Sequence, residues 1–250
     1  MPGMRNIGPC RLGHLKALFC RNSSLLRRYS SGSHDGENTD HESLIYPDAP
    51  SKHHSDLSTF LAYAERIDLD KESNVYRGTH YEYTVAEKLV RYGFNLKRIG
   101  RSGDYGIDLI GTWTLPLKVP LKPPSPAARP MRVLIQCKSM GVKMGPRYIR
   151  ELEGAFVGAP AGWIGSGVLG LMAGTSSATK GTREALGRSN KPMGYLVCSE
   201  DGILEQMLWN QRAEEEGLEG VGVAMKRFEN SRKQEVVLTH NGVPLPFIGN

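Results

Sequence analysis

Cysteine is scarce in this chain: four thiols in 250 residues, and two of them, Cys10 and Cys20, fall within the first twenty. Cys137 and Cys198 are then too few for a disulfide framework or a cysteine-rich zinc site. Cys137, inside the run "LIQCK", reads as a small buried apolar side chain. Acidic residues are missing altogether from positions 1–34, which hold six basic ones: Arg5, Arg11, Lys16, Arg21, Arg27 and Arg28. Long apolar runs are also missing. Positions 155–179 carry no charge, but glycine crowds the stretch and Pro160 interrupts it, so it predicts a loop and a buried strand rather than a bilayer span. No Walker A loop, H-E-x-x-H helix, cysteine-paired His-Asn-His finger or G-x-S-x-G elbow is present, which excludes the chemistries those patterns serve.

The net charge of +6 at first suggests a nucleic-acid binder. Setting aside the six basic residues of the leader leaves 26 Lys and Arg against 26 Asp and Glu. The basicity therefore belongs to the leader, and any anion-binding surface on the rest must be a local cluster. An Arg-rich, Ser-containing, acid-free leader has the composition of a mitochondrial transit peptide. "RRYSS" at 27–31 suggests cleavage after Tyr29, so residues 1–29 are read as transit peptide and the mature chain as a mitochondrial matrix protein. Residues 30–56 are polar and aperiodic and read as a disordered linker in which His34, His41, His53 and His54 are solvated. Residues 57–250 form one domain.

Within that domain "LSTFLAYAERI" and "NVYRGTHYEYTVAEKLVRYGF" have helical spacing, the second capped by Gly93. "FNLKRIG", "IDLIGTW" and "MRVLIQCK" read as strands. The last two form a hairpin around a Pro-rich insertion at 115–130 that cannot join a central sheet. Pro146 opens a helix. "GVLGLMAGT" is an apolar strand, "SSATKGTREALGRS" a helix and "MGYLVCS" a strand. "EDGILEQMLWNQRAEEE" is expected to be a final long helix, and "QEVVLTHNGVPL" a hairpin.

Two of these strands carry ionisable groups among apolar neighbours: Asp108 at the start of one, Lys138 at the end of its hairpin partner. Strand alternation puts Gln136 and Lys138 on one face and Cys137 on the other. The Asp108 carboxylate, the Gln136 amide oxygen and the Cys137 backbone carbonyl form an all-oxygen ligand set suited to Mg²⁺ or Mn²⁺. Lys138 could then orient an attacking water and balance developing charge. Asp104 reads as a turn residue beside Gly103.

From "YEYTVAEKLVRYGF" through "GDYGIDLI" to "LIQCK", residues 78–200 resemble the PD-(D/E)xK restriction-endonuclease-like superfamily, in particular its Mrr-like branch, in which glutamine often replaces the middle acid. With its leader and Pro-rich insertion, the whole chain resembles a fungal mitochondrial family called required for respiratory growth protein seven. The first resemblance implies an α/β fold with an αβββαβ core, a mixed central sheet flanked by helices. It also implies a site of Asp108, Gln136 and Lys138, with Glu82 as the helix acid and a further candidate metal ligand. Arg98, Arg101, Lys143 and Arg147 are candidate phosphate contacts to DNA or RNA. The expected activity is Mg²⁺-dependent phosphodiester hydrolysis in mitochondrial genome maintenance. A catalytically silent module of the same fold, binding nucleic acid or a protein, is the alternative, and a homodimer is left open.

Overall fold

A computed structural model describes residues 44–100, 106–117, 130–228 and 233–249. The leader, Arg101, Asp104 and positions 118–129 of the Pro-rich insertion lie outside these residues. Two helices come first, α1 (Leu57–Arg66) and α2 (Asn74–Leu89). Asp56 caps α1 by accepting from the Thr59 N–H at 2.8 Å, and Ser73 caps α2 through Tyr76. Gly93 follows a short 3₁₀ turn with φ of +93°, the left-handed conformation that glycine adopts at least cost.

Three antiparallel strands follow: β1 (Phe94–Arg98), β2 (Leu109–Trp113) and β3 (Met131–Lys138). The expected hairpin around the insertion is therefore present. Pro146 opens α3 (Pro146–Ala155), and β4 (Val168–Gly174) then pairs parallel to β3. After α4 (Lys180–Arg188), β5 (Met193–Cys198) pairs parallel to β4. β6 (Leu204–Trp209) closes a mixed six-stranded sheet ordered β1 to β6.

The segment expected to be the last long helix is mainly this sixth strand, followed by helical turns at Gln211–Ala213 and Glu214–Leu218. Pairing with β5 decides the outcome, because it buries Leu204 and Met207 against the sheet core. The residues before it form the hairpin turn, with the Gly202 N–H bonded to the Ser199 carbonyl at 2.8 Å. A second sheet holds β7 (Val221–Arg227), β8 (Gln234–His240) and β9 (Val243–Pro244). Its β8–β9 turn sits at Asn241 and Gly242, both with positive φ, as the His-Asn-Gly signal predicts.

The large sheet is covered on both faces. Tyr81, Val85 and Leu89 of α2, with Val236 and Leu238 of β8, pack on one face against Val133, Ile135 and Cys137. Ile149 and Leu152 of α3, Leu186 of α4 and Trp163 of the turn before β4 cover the other against Leu134 and Met172. Two-sided burial explains why β3, β4 and β5 read as nearly continuous apolar runs. It also accounts for the uncharged stretch at 155–179, whose apolar piece is the fully buried β4. Among the described residues no helix is long and apolar enough to cross a membrane.

Candidate functional site

The open end of the β2–β3 pair brings the sequence-predicted residues together. Leu109 stands opposite Ile135 in the register, so Asp108 falls opposite Gln136. The Asp108 backbone is held on both sides: its N–H donates to the Ile135 carbonyl at 2.9 Å, and its carbonyl accepts from Ile99 and Gly100 at 2.8 and 3.0 Å. Its carboxylate Oδ2 accepts the Cys137 N–H at 2.6 Å, so the side chain extends the ladder one step past the end of β2. The N–H and C=O of a strand residue project toward the same neighbour, which puts the Cys137 carbonyl on the Asp108 side of β3.

Gln136 is 4% exposed, and its Oε1 has no hydrogen-bond partner among the described residues. A buried amide oxygen left in this state costs about 1–3 kcal/mol. Gly106 lies directly against the same side chain: a Cβ at that position would sit 2.6 Å from Gln136 Nε2, and φ there is +81°. Lys138, half-buried, shares the Gln136 face by alternation. On the other face the Cys137 thiol is pushed far up, first by burial and then by the negative charges of Asp108 and Glu82, with Lys138 opposing. These charged groups thus all act on one end of β3.

Glu82 projects from α2 and forms an ion pair with Arg98 of β1, both side chains only 13% exposed. Arg98 also reaches Thr79 Oγ1 at 3.4 Å. Arg98 had read as a phosphate contact, and nothing in the sequence marked it as the partner of Glu82, since helix and strand meet only in the fold. Of the other candidate phosphate contacts, Lys143 is exposed, and Arg147 Nη2 bonds Tyr148 Oη at 2.5 Å on the surface of α3.

Among the described residues no three His, Cys, Asp or Glu side chains group as a metal site. The donors at the β2–β3 end are instead one carboxylate, one amide oxygen and one backbone carbonyl. The unsatisfied Gln136 oxygen fits a hard divalent cation, and the lack of nitrogen and sulfur donors does not fit zinc. Beside Ser139, the residue after Lys138, a cavity of about 360 Å³ opens between the start of α2 and Glu200. Lys71, Arg77 and His80 line it together with Glu72, and the His80 ring stacks on Tyr76 with ring centroids 5.8 Å apart. Sequence reasoning did not single these residues out, although Arg77 and His80 stand three apart on one helix face.

Comparison with known proteins places the chain in a family. The family model of required for respiratory growth protein 7 matches residues 73–124 and 117–226, which include Glu82, Arg98, Asp108, Gln136 and Lys138. The chain belongs to this family. An uncharacterised mitochondrial protein of Schizosaccharomyces pombe is 31% identical over 162 residues, covering 62% of this chain and 60% of that protein. The family member of Eremothecium gossypii, mitochondrial by name, is 36% identical over 114 residues, covering 34% and 47%. That of Candida glabrata is 28% identical over 178 residues, covering 57% and 70%. The chain thus spans about half to three-fifths of the length of the first two relatives. No solved structure matches it.

Proposed function

We propose that this family member is a mitochondrial matrix protein that hydrolyses phosphodiester bonds of nucleic acid with a divalent cation, Mg²⁺ or Mn²⁺. The observation that carries this reading is the buried, unpartnered Gln136 Oε1 directly opposite Asp108. The relatives' names, mitochondrial and required for respiratory growth, support a mitochondrial location and the cellular role. The order α2-β1-β2-β3-α3-β4 supports a restriction-endonuclease-like core.

Asp108, Gln136 Oε1 and the Cys137 carbonyl would hold the cation, which when bound polarises a phosphate oxygen and acidifies a water. Asp108 is kept in place by the Cys137 N–H, so its carboxylate needs little reorganisation to serve as a ligand. Lys138, two residues beyond Gln136 on the same face, would donate to the attacking water or to the phosphate as negative charge builds there. Glu82 would tune the site's charge through its hold on Arg98. Lys71 and Arg77, in a cavity that Glu72 and Glu200 also line, would contact phosphates of the strand beside the site without reading its sequence.

The test is incubation of the purified chain with supercoiled plasmid, branched DNA and RNA, with Mg²⁺ or Mn²⁺ and then with chelator. Cleavage that chelator stops, and that Asp108→Asn and Lys138→Ala each reduce by about 100-fold or more, is the expected result. Both variants should bind nucleic acid as the parent does. A second reading, a silent module of the same fold, has one observation in its favour: the helix acid Glu82 is already paired with Arg98. Nucleic-acid binding without cleavage, unchanged in both variants, would establish that reading instead.

A further inference from the structure

A second cavity lies at the outer edge of the large sheet, along β1. Residues 44–55 run across this edge and are anchored at both ends. At one end the Trp163 Nε1–H donates to the Ile45 carbonyl at 3.0 Å, and Tyr46 meets the Trp163 ring edge-to-face at 5.2 Å. At the other end His54 enters a ring cluster with Phe60, Tyr63 and Tyr83, its Nδ1 2.8 Å from Tyr83 Oη. His54 is therefore a packed residue and not the solvated one its sequence context suggests. Between these anchors is a space of about 320 Å³, lined by Tyr46, Pro50, His54, Tyr83, Lys97 and Arg98 among others.

The chemistry of this lining is one-sided. No Asp or Glu lines the cavity among the described residues, while two permanent cations do. Lys97 has no carboxylate partner among the described residues, and its Nζ stands 4.1 Å over the Tyr46 ring. Arg98 is 5.6 Å from the Tyr83 ring centroid and shares its guanidinium with Glu82. Asp56 acts electrostatically on His54, and Asp48 stands in the sequence between the lining residues Pro47 and Ala49. The Tyr46 ring and the prolines offer apolar surface above the buried Tyr83, and with Arg98 paired to Glu82 the Lys97 ammonium supplies the positive charge that no carboxylate among the described residues balances. A planar apolar body that carries a compact anion satisfies both.

We infer that this cavity binds a nucleotide, its phosphate at Lys97 beside Arg98 and its base against Tyr46 and Pro50. None of these residues belongs to the Asp108–Gln136–Lys138 group, so the site stands whether or not that group cleaves. Arg98 nevertheless joins the two places. Phosphate in the cavity competes with Glu82 for the guanidinium and loosens the ion pair between Arg98 and the helix acid.

His54 reports occupancy independently of any cleavage. Its pKa lies below the ordinary histidine value because of burial first, then the positive charges of Arg98 and His53, with Asp56 opposing. A phosphate bound beside Arg98 must move it upward. The experiment is a pH titration of the His54 ring resonances, assigned with His54→Gln, in the full chain. The probes are adenosine monophosphate, a short single-stranded oligonucleotide, inorganic phosphate and adenosine.

A saturable upward shift with the monophosphate or the oligonucleotide is expected, and which of the two acts identifies the source of the nucleotide. Lys97→Ala, a change at an exposed side chain, should weaken that response about tenfold. Asp108→Asn should leave it intact, which separates this site from the hydrolytic one. No response to either nucleotide probe at millimolar concentration would overturn the inference. An equal response to inorganic phosphate would overturn it as well, since the rings would then contribute nothing.

Discussion

Gln136 is a polar residue within the apolar run that Val133, Leu134, Ile135 and Cys137 form in β3, and its carbonyl oxygen is buried without a partner among the described residues. Removing such a group relieves a desolvation penalty, provided that the replacement fills the same space. Gln136→Met should therefore leave the unfolding free energy within about 1 kcal/mol of the parent, or raise it. It should also abolish any stabilisation of the protein by Mn²⁺. Denaturant unfolding with and without the cation measures both effects. A loss of several kcal/mol without cation would mean that the amide serves the fold and not a ligand.

At the same scale, burial pushes the Cys198 thiol up to about 12. In the unfolded chain the thiol ionises near its ordinary value of about 8.5. The stability that Cys198 contributes is complete below that value and is lost as pH rises toward 12. Stability curves between about pH 9 and 12 should accordingly be flatter for Cys198→Ala than for the parent. Neither Cys137 nor Cys198 should react with iodoacetamide at neutral pH until the chain is unfolded, because both are buried and held as thiols.

At the scale of elements, the end of α2 is tied to the small sheet by one ion pair. Arg91 Nη1 meets Glu235 Oε1 at 2.7 Å, and the glutamate side chain is only 7% exposed. The neighbouring Tyr92 hydroxyl donates to the Val236 carbonyl at 2.9 Å. Glu235→Ala should cost about 2 kcal/mol, because a charge-assisted bond is lost while its guanidinium stays partly in solvent. Thermal unfolding checks this, and Glu235→Gln, which keeps an acceptor, should recover part of the loss.

Elements also mark where sequence reading succeeded and where it did not. β2 and β3 were legible as a hairpin because each has strand periodicity and the Pro-rich stretch between them excludes a helix. β6 was not, because Leu204, Met207 and Leu208 fit a helical face as well as a strand. The discriminating signal was Asp201-Gly202 between two apolar runs, a hairpin turn and not a helix start. β7 gave no signal at all: Val223 and Met225 stay exposed, so its sequence shows no clear alternation between core and solvent.

At the scale of the whole molecule, charge is distributed unevenly along the chain. The first 34 residues hold the entire net charge of +6, and the remainder is balanced. Under the proposed function, nucleic-acid affinity of the full chain should fall steeply with salt if the basic residues at 1–34 add phosphate contacts that release counterions. A chain beginning at residue 35 should show a shallower slope, reduced by about 0.9 for each phosphate contact the leader made. Titrations of labelled duplex at several salt concentrations give both slopes. Equal slopes would mean that the folded part alone carries the electrostatic footprint.

The sequence by itself determined the α/β character, the order of most elements and the facing of Gln136 and Lys138. Each follows from local periodicity, turn chemistry and the two-residue repeat of a strand. It also placed an Asp and a Lys on strands that would become partners. Only the tertiary structure decided that Glu82 meets Arg98, that Gln136 is buried with its oxygen unpartnered among the described residues, and that a cavity without a described Asp or Glu in its lining runs along β1. Those facts depend on contacts between residues far apart in the chain, fixed by how helices and sheet pack, and no local pattern encodes them.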